Sequence, residues 1–287
     1  MYFGHNPSNY DPPQVSPVCS PDREIVVYVH GWNADKESAI SQFNVVKKSL
    51  ISPEIGYRQP VIGFSWDSNT IGWFNPLMPW IGQSAWDVGK NIAEQNGLKL
   101  GKFILDFKAD CELAKIRLVG HSLGAMVILT VLERLHNDPD LALWNTVDRN
   151  YKVESVHLLG AAVNREEGSM TDGFGIYIRD EVSQNQFHNK FSPQDDILET
   201  VYRDTERHIA RGENGGENLL PELSSYYREE DVSNQISRDV DRDGIDRDDK
   251  PNLGDDHMGY AGVVNSNNGQ LTSNGAMELV ARDWRNQ

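Results

Sequence analysis

The stretch KIRLVGHSLGAMVIL, residues 115–129, constrains this chain more than any other. A short apolar run, broken only by Arg117, meets Gly120-His121-Ser122-Leu123-Gly124 and passes directly into a second apolar run, Ala125-Met126-Val127-Ile128-Leu129. The first run reads as a buried strand and the second as the opening of a helix. The chain must therefore turn sharply from strand into helix with Ser122 at the tip. Such a turn holds the serine in a strained conformation, and the flanking glycines let neighbouring backbone approach closely. The hydroxyl then projects from the carboxyl end of a sheet, above a helix N-terminus that favours developing negative charge.

The rest of the chain alternates between strand-like and helix-like stretches. Residues 24–30 (EIVVYVH), 61–66, 115–120, 154–163 and 186–192 read as strands. Helical pattern covers 36–52 behind Asp35 as a cap, then 86–109, 122–135 and 275–284. This alternation predicts an α/β fold, a mostly parallel twisted sheet with helices on both faces. Residues 1–22, rich in Pro, Asn and Ser, read as an irregular N-terminal arm, and 23–287 as a single domain.

The net charge of −16 excludes nucleic acid and anionic membrane surfaces as natural partners. Arg outnumbers Lys, and the composition resembles that of proteins from salt-loving organisms. Residues 217–256 hold 13 acids and 5 basic residues, half of the net charge, and read as a surface loop or acidic insertion. No apolar run spans a membrane. Cys19 and Cys111 allow one disulfide, with free thiols in a reducing compartment as the expectation. The N-terminus lacks the pattern of a secretory signal, so a cytoplasmic location is expected, or a secreted one if a signal has been removed.

GHSLGA in its strand–turn–helix context resembles the nucleophile elbow of lipases and esterases in the α/β-hydrolase superfamily, and the resemblance runs from about residue 24 to 285. It implies Ser122 as nucleophile. It also implies an oxyanion hole from the backbone N–H groups of Leu123 and of Trp32, the latter in His30-Gly31-Trp32, with His30 bracing that loop. The family order is serine, acid, histidine. The turn Ser192-Pro193-Gln194-Asp195-Asp196-Ile197-Leu198 resembles the acid turn, with Asp195 as acid and Asp196 as the alternative. Two histidines follow. His208 lies in a polar stretch that reads as a solvated face, whereas His257, before Met258-Gly259-Tyr260, resembles the histidine loop and is the expected base.

Two further features bear on the site. Asp239-Val240-Asp241-Arg242-Asp243-Gly244-Ile245 begins like an EF-hand calcium loop, with Asp239, Asp241, Asp243 and the Ile245 carbonyl as ligands. Arg247 and Lys250 stand where acids complete that pattern, so a solvated Asp-rich loop is the competing reading. Calcium here would brace the chain leading to His257 and would not enter the chemistry, which needs no cofactor. Residues 67–86 carry Trp73, Phe74 and Trp80 among prolines and read as an aromatic cap lining an acyl pocket, while Trp66 and Trp86 read as core.

The implied activity is cleavage of small or lipid-like carboxylic esters through an acyl-enzyme on Ser122. Thioesters, amides and polyesters are open as substrates. Epoxide hydrolases and haloalkane dehalogenases carry Asp at the elbow, and Ser122 argues against both. The contrasting reading is a non-catalytic, calcium-braced binding protein, in which His257 lies far from Ser122.

Overall fold

Strand β1 (Glu24–Val29) carries β-branched residues on both faces and is buried almost throughout, as a central strand covered on two sides must be. The computed structural model describes residues 24–70, 79–138, 141, 151–166, 174–217, 225–236, 245–246, 255–265 and 267–285. The expected N-terminal arm, Trp73, Phe74, Asp239, Asp241 and Asp243 lie outside the described residues.

After β1 come α1 (Lys36–Ile51), β2 (Val61–Phe64), α2 (Pro79–Asp110), β3 (Lys115–His121), α3 (Gly124–Asn137), β4 (Ser155–Leu159), α4 (Phe174–Glu181) and β5 (Phe187–Phe191). A π-helical turn, Leu198–Tyr202, runs into the short helices α5 (Arg203–Glu206) and α6 (Arg211–Asn214). β6 (Tyr227–Asp231), β7 (Ile245–Asp246), α7 (Asp255–Met258), β8 (Val263–Asn265), β9 (Leu271–Ser273) and α8 (Met277–Arg285) complete the order.

The main sheet has six strands in the order β2-β1-β3-β4-β5-β6, and every neighbouring pair is parallel. One face packs Val27, Val29, Ile116, Leu118, Val156 and Leu158 against α2 and α3. The other packs Val26, Tyr28, Val119 and Leu159 against Met277, Val280 and Trp284 of α8. The chain winds outward through β2 and then back past β1 to β3. The order of the strands therefore reverses between β1 and β3, and in open α/β sheets ligands bind at the carboxyl ends of such a pair. The two loops that follow β1 and β3 are HGW and the serine elbow.

Several expected elements take a different form. The fourth strand stops at Leu159 rather than Val163, because Gly160 adopts φ 51° and turns the chain under the elbow. There Ala162 N–H donates to the Ser122 carbonyl at 3.1 Å. α2 starts at Pro79, so Trp80 lies in its first turn. Proline suits a first helical position, where its missing N–H has no intrahelical partner to lose. The acidic segment is not simply an insertion, since Tyr227–Asp231 forms the sixth strand of the sheet. Its sequence, YREED, hides the strand because an edge strand is exposed on one side and tolerates charge. Ile245 lies in β7, which pairs with β8. Cys111 is disulfide-bonded, against the expectation of free thiols, and Cys19 is the chain's one other cysteine. Among the described residues no helix is long and apolar enough to cross a membrane.

Candidate active site

Ser122 stands at the carboxyl end of β3 with φ 53°, a left-handed conformation that costs a residue with a Cβ free energy on the order of 1 kcal/mol or more. The surroundings hold it there. Ser122 N–H donates to the Leu159 carbonyl at 3.0 Å, and the Ser122 carbonyl accepts from Ala125 and Ala162. The glycines on either side are sterically required. A Cβ on Gly120 would stand 2.7 Å from Ile128 Cδ1, and one on Gly124 would stand 2.5 Å from the Val29 carbonyl oxygen. The G-x-S-x-G spacing thus records two close approaches, β3 to α3 at Gly120 and α3 to β1 at Gly124.

The loop after β1 lies directly against this turn, where a Cβ on Gly31 would come within 2.7 Å of the Ser122 Cβ. His30 holds the loop as expected. Its Nε2 accepts from Trp66 N–H at 3.1 Å, which leaves the proton on Nδ1, 2.9 Å from the Gly31 carbonyl. Trp66 Nε1–H in turn donates to the His30 carbonyl at 2.8 Å, and the two rings stack. Burial pushes His30 down to about 4, so the ring is neutral and structural. The Trp32 indole points into α2. Its Nε1–H donates to Thr70 Oγ1 at 2.7 Å, and Thr70 donates to the Ala85 carbonyl at 2.7 Å. Trp86 meets the Trp32 ring edge-on at 5.1 Å. This anchors the loop. Trp66 and Trp86 are core, as read from sequence. Leu123, at the head of α3, is fully buried.

The structure brings Asp195 and His257 together, although 62 residues separate them. Asp195 Oδ2 lies 2.7 Å from His257 Nδ1. Its other oxygen, Oδ1, accepts the Leu198 N–H at 3.0 Å. One fully buried carboxylate therefore does both jobs the acid turn offers, capping the following helical turn and contacting histidine. Asp196 is partly exposed and has no part in the contact with His257. His208 is exposed. His257 also lies beside the elbow, since its ring centroid is 4.7 Å from that of His121, the residue preceding Ser122.

Two contributors were missed by sequence reasoning. His121 donates from Nε2 to the His257 carbonyl at 2.7 Å. Tyr260 is fully buried with its ring 6.4 Å from that of His257, and burial followed by the Asp195 charge holds its phenol well above the usual range. Tyr260 stands three residues after His257 in the motif already noted. His121 occupies the variable position of the elbow, where the motif carries no instruction.

His157, His188 and Asp283 form a grouping of ligand-type atoms on the α8 face of the sheet. Lys190 Nζ pairs with the carboxylate of this grouping, 2.6 Å from Asp283 Oδ2, with His188 Nδ1 at 3.2 Å and His157 Nε2 at 3.4 Å from the same oxygen.

A parallel sheet wound on both faces, a serine on a strained strand-to-helix turn, and an Asp–His pair beside it define an α/β hydrolase. The chain belongs to the family described as alpha/beta hydrolase of unknown function (DUF900), which matches residues 16–265. Solved structures match the chain at low identity. A cutinase-like protein from Cryptococcus sp. is 9% identical, with a TM-score of 0.40 over 92% of this chain and 94% of that one. The catalytic core of acetyl xylan esterase from Trichoderma reesei is 15% identical, with a TM-score of 0.36 over 73% and 82%. An esterase B from Lactobacillus rhamnosis is 11% identical, with a TM-score of 0.36 over 73% and 65%. No curated protein matches the chain.

Proposed function

We propose that this protein is a serine hydrolase that cleaves small or lipid-like carboxylic esters. The observation that carries the reading is the 2.7 Å contact between Asp195 Oδ2 and His257 Nδ1, next to a serine at φ 53° on the elbow. In this reading His257 takes the Ser122 proton through Nε2 while Asp195 holds the proton on Nδ1. Ser122 Oγ attacks the ester carbonyl, and the tetrahedral oxyanion is received by the N–H groups of Leu123 and Trp32. Collapse expels the alcohol, which takes its proton from His257. Water, activated by the same histidine, then cleaves the acyl-enzyme. No cofactor enters these steps.

The close approach of Gly31 to Ser122 supports the oxyanion assignment, because the loop that carries Trp32 N–H borders the serine side chain. A non-catalytic binding protein would have no need of a buried carboxylate on His257, or of that histidine beside the elbow.

The test is reaction with a fluorophosphonate probe, comparing the wild type with Ser122→Ala and His257→Ala. Labelling of the wild type that is lost in both variants supports an activated serine, and p-nitrophenyl esters of increasing chain length then rank substrates. Folded wild type that does not label in low or high salt overturns the reading.

A further inference from the structure

We infer that His121 is a positioning residue for this reaction: its Nε2–H holds the peptide carbonyl of His257, and so the base itself, against the nucleophile elbow. The inference rests on the serine-hydrolase reading and adds a residue that the elbow motif leaves unspecified.

His257 needs an external anchor. It belongs to α7, a helix of four residues, which closes barely one hydrogen-bonded turn and cannot fix its own orientation. The residues after it are tied down separately: the Tyr260 carbonyl accepts from Ala276 N–H at 2.9 Å, and the Ala261 carbonyl accepts from Ser49 Oγ at 3.1 Å. His257 itself is held at two points. Asp195 grips the ring at Nδ1, and His121 grips the backbone carbonyl at 2.7 Å. A ring held at one nitrogen can still pivot about that contact. Fixing the peptide as well leaves Nε2 one direction to face. His121 adjoins Ser122 and lies on β3, the strand that delivers the serine, so the bond ties base and nucleophile to a common rigid element.

The chemistry of His121 suits the task. A carbonyl accepts only, so the His121 proton is on Nε2, and Nδ1 is buried with no partner among the described residues. Burial, and then the neighbouring His257, push His121 down to about 3. It is therefore neutral at any working pH. A neutral ring 4.7 Å from His257 adds no repulsion when His257 becomes an imidazolium during acyl transfer. Lysine or arginine could also donate a hydrogen bond but would bring a positive charge to that place.

Two variants separate the donor from the packing. His121→Leu fills similar space without a donor, and His121→Gln carries an amide N–H at about the reach of Nε2. Turnover of p-nitrophenyl acetate is measured together with the downfield ¹H resonance of the His257 Nδ1 proton shared with Asp195. For His121→Leu, kcat is expected to fall on the order of 10²-fold with KM changed by less than about threefold, and the resonance to broaden. His121→Gln is expected to restore both. A folded His121→Leu with wild-type kcat overturns the inference, as does a folded His121→Gln no faster than Leu. If His121→Leu fails to fold, His121→Gln decides alone: wild-type-like kcat and a sharp resonance support the role, and a folded but slow enzyme overturns it. Ser122→Ala is the control for the underlying reading. If it still turns over the ester, the serine-hydrolase reading fails and takes the inference with it. If it is inactive while His121→Leu is fully active, only the positioning role fails.

Discussion

Gly31 and Ser122 lie so close that a side chain on the first would collide with the second: a Cβ built on Gly31 stands 2.7 Å from Ser122 Cβ and 3.2 Å from Oγ. Neither partner can yield cheaply, since Ser122 is held in a left-handed turn and Gly31 follows a buried strand. Gly31→Ala is expected to push the β1 loop away from the serine and lower kcat/KM on the order of 10²- to 10³-fold, the cost of one misplaced oxyanion donor. Probe labelling rates, with circular dichroism to establish folding, check this. A fully active Gly31→Ala would remove the Trp32 N–H from the oxyanion site.

Asp195 and Asp196 are neighbours with different surroundings. Asp195→Asn keeps an oxygen for the Leu198 N–H but loses the charge facing His257, so the fold should survive while kcat drops on the order of 10³- to 10⁴-fold. Asp196→Asn alters a partly exposed group and should change stability by no more than about 0.5 kcal/mol, with kcat near wild type. Steady-state kinetics on the pair is the measurement, and the reverse pattern would reassign the acid.

Acid should destabilise the protein from mildly acidic pH downward. His30 and His188 are pushed to about 4, and His121 and His157 to about 3, burial being the first cause in each. Their folded values lie below the ordinary 6.5, so the unfolded chain binds protons first. Their contribution is present above about pH 6.5 and lost as pH falls toward 4 and 3. Each proton contributes a slope of up to about 1.4 kcal/mol per pH unit. Asp283, held well below the usual carboxylate range by His157 and Lys190 in spite of its burial, acts in the same direction at lower pH. Thermal melts from pH 8 to pH 4 should give a flat Tm down to about 7 and a steep fall below 6.5. A constant Tm down to pH 5 would contradict this.

The disulfide at Cys111 predicts no free thiol in the denatured, unreduced protein. Reduction should lower stability by about 2 to 4 kcal/mol. Ellman titration with and without reductant, followed by a melt of each form, checks both parts. Two titratable thiols before reduction would overturn it.

Self-repulsion at a net charge of −16 is screened by salt. Tm and esterase activity are expected to rise from low to molar salt. Highest activity at low salt would refute the salt-loving reading of the composition.

The elbow was legible because its requirements are local. A strand, a turn at positive φ and a helix occupy consecutive residues, and glycine is demanded wherever backbone from β1 or α3 crowds in. Asp35 was legible for the same reason, as its side chain caps Ser38 N–H three residues on, at 2.8 Å. Tyr227–Asp231 was not legible as a strand. Its place at the sheet edge makes charge acceptable, and period-2 hydrophobicity is weak in such a strand. The fourth strand was read too long because Ala161, Ala162 and Val163 are buried for another reason: they line the turn beneath the elbow, where Gly212 comes against the backbone of Gly160 and Ala161.

By itself the sequence determined the strand–turn–helix at Ser122, the parallel α/β class and the residue types available as acid and base, because each follows from short-range sterics or from the periodicity of burial. The tertiary structure decided which of two adjacent aspartates meets His257, that one carboxylate both caps a helical turn and contacts the ring, and that His121 grips the His257 backbone across 136 residues. Those outcomes depend on how separate strand ends converge at the point between β1 and β3 where the winding reverses. Convergence of that kind is set by the packing of the whole sheet, which no local pattern encodes.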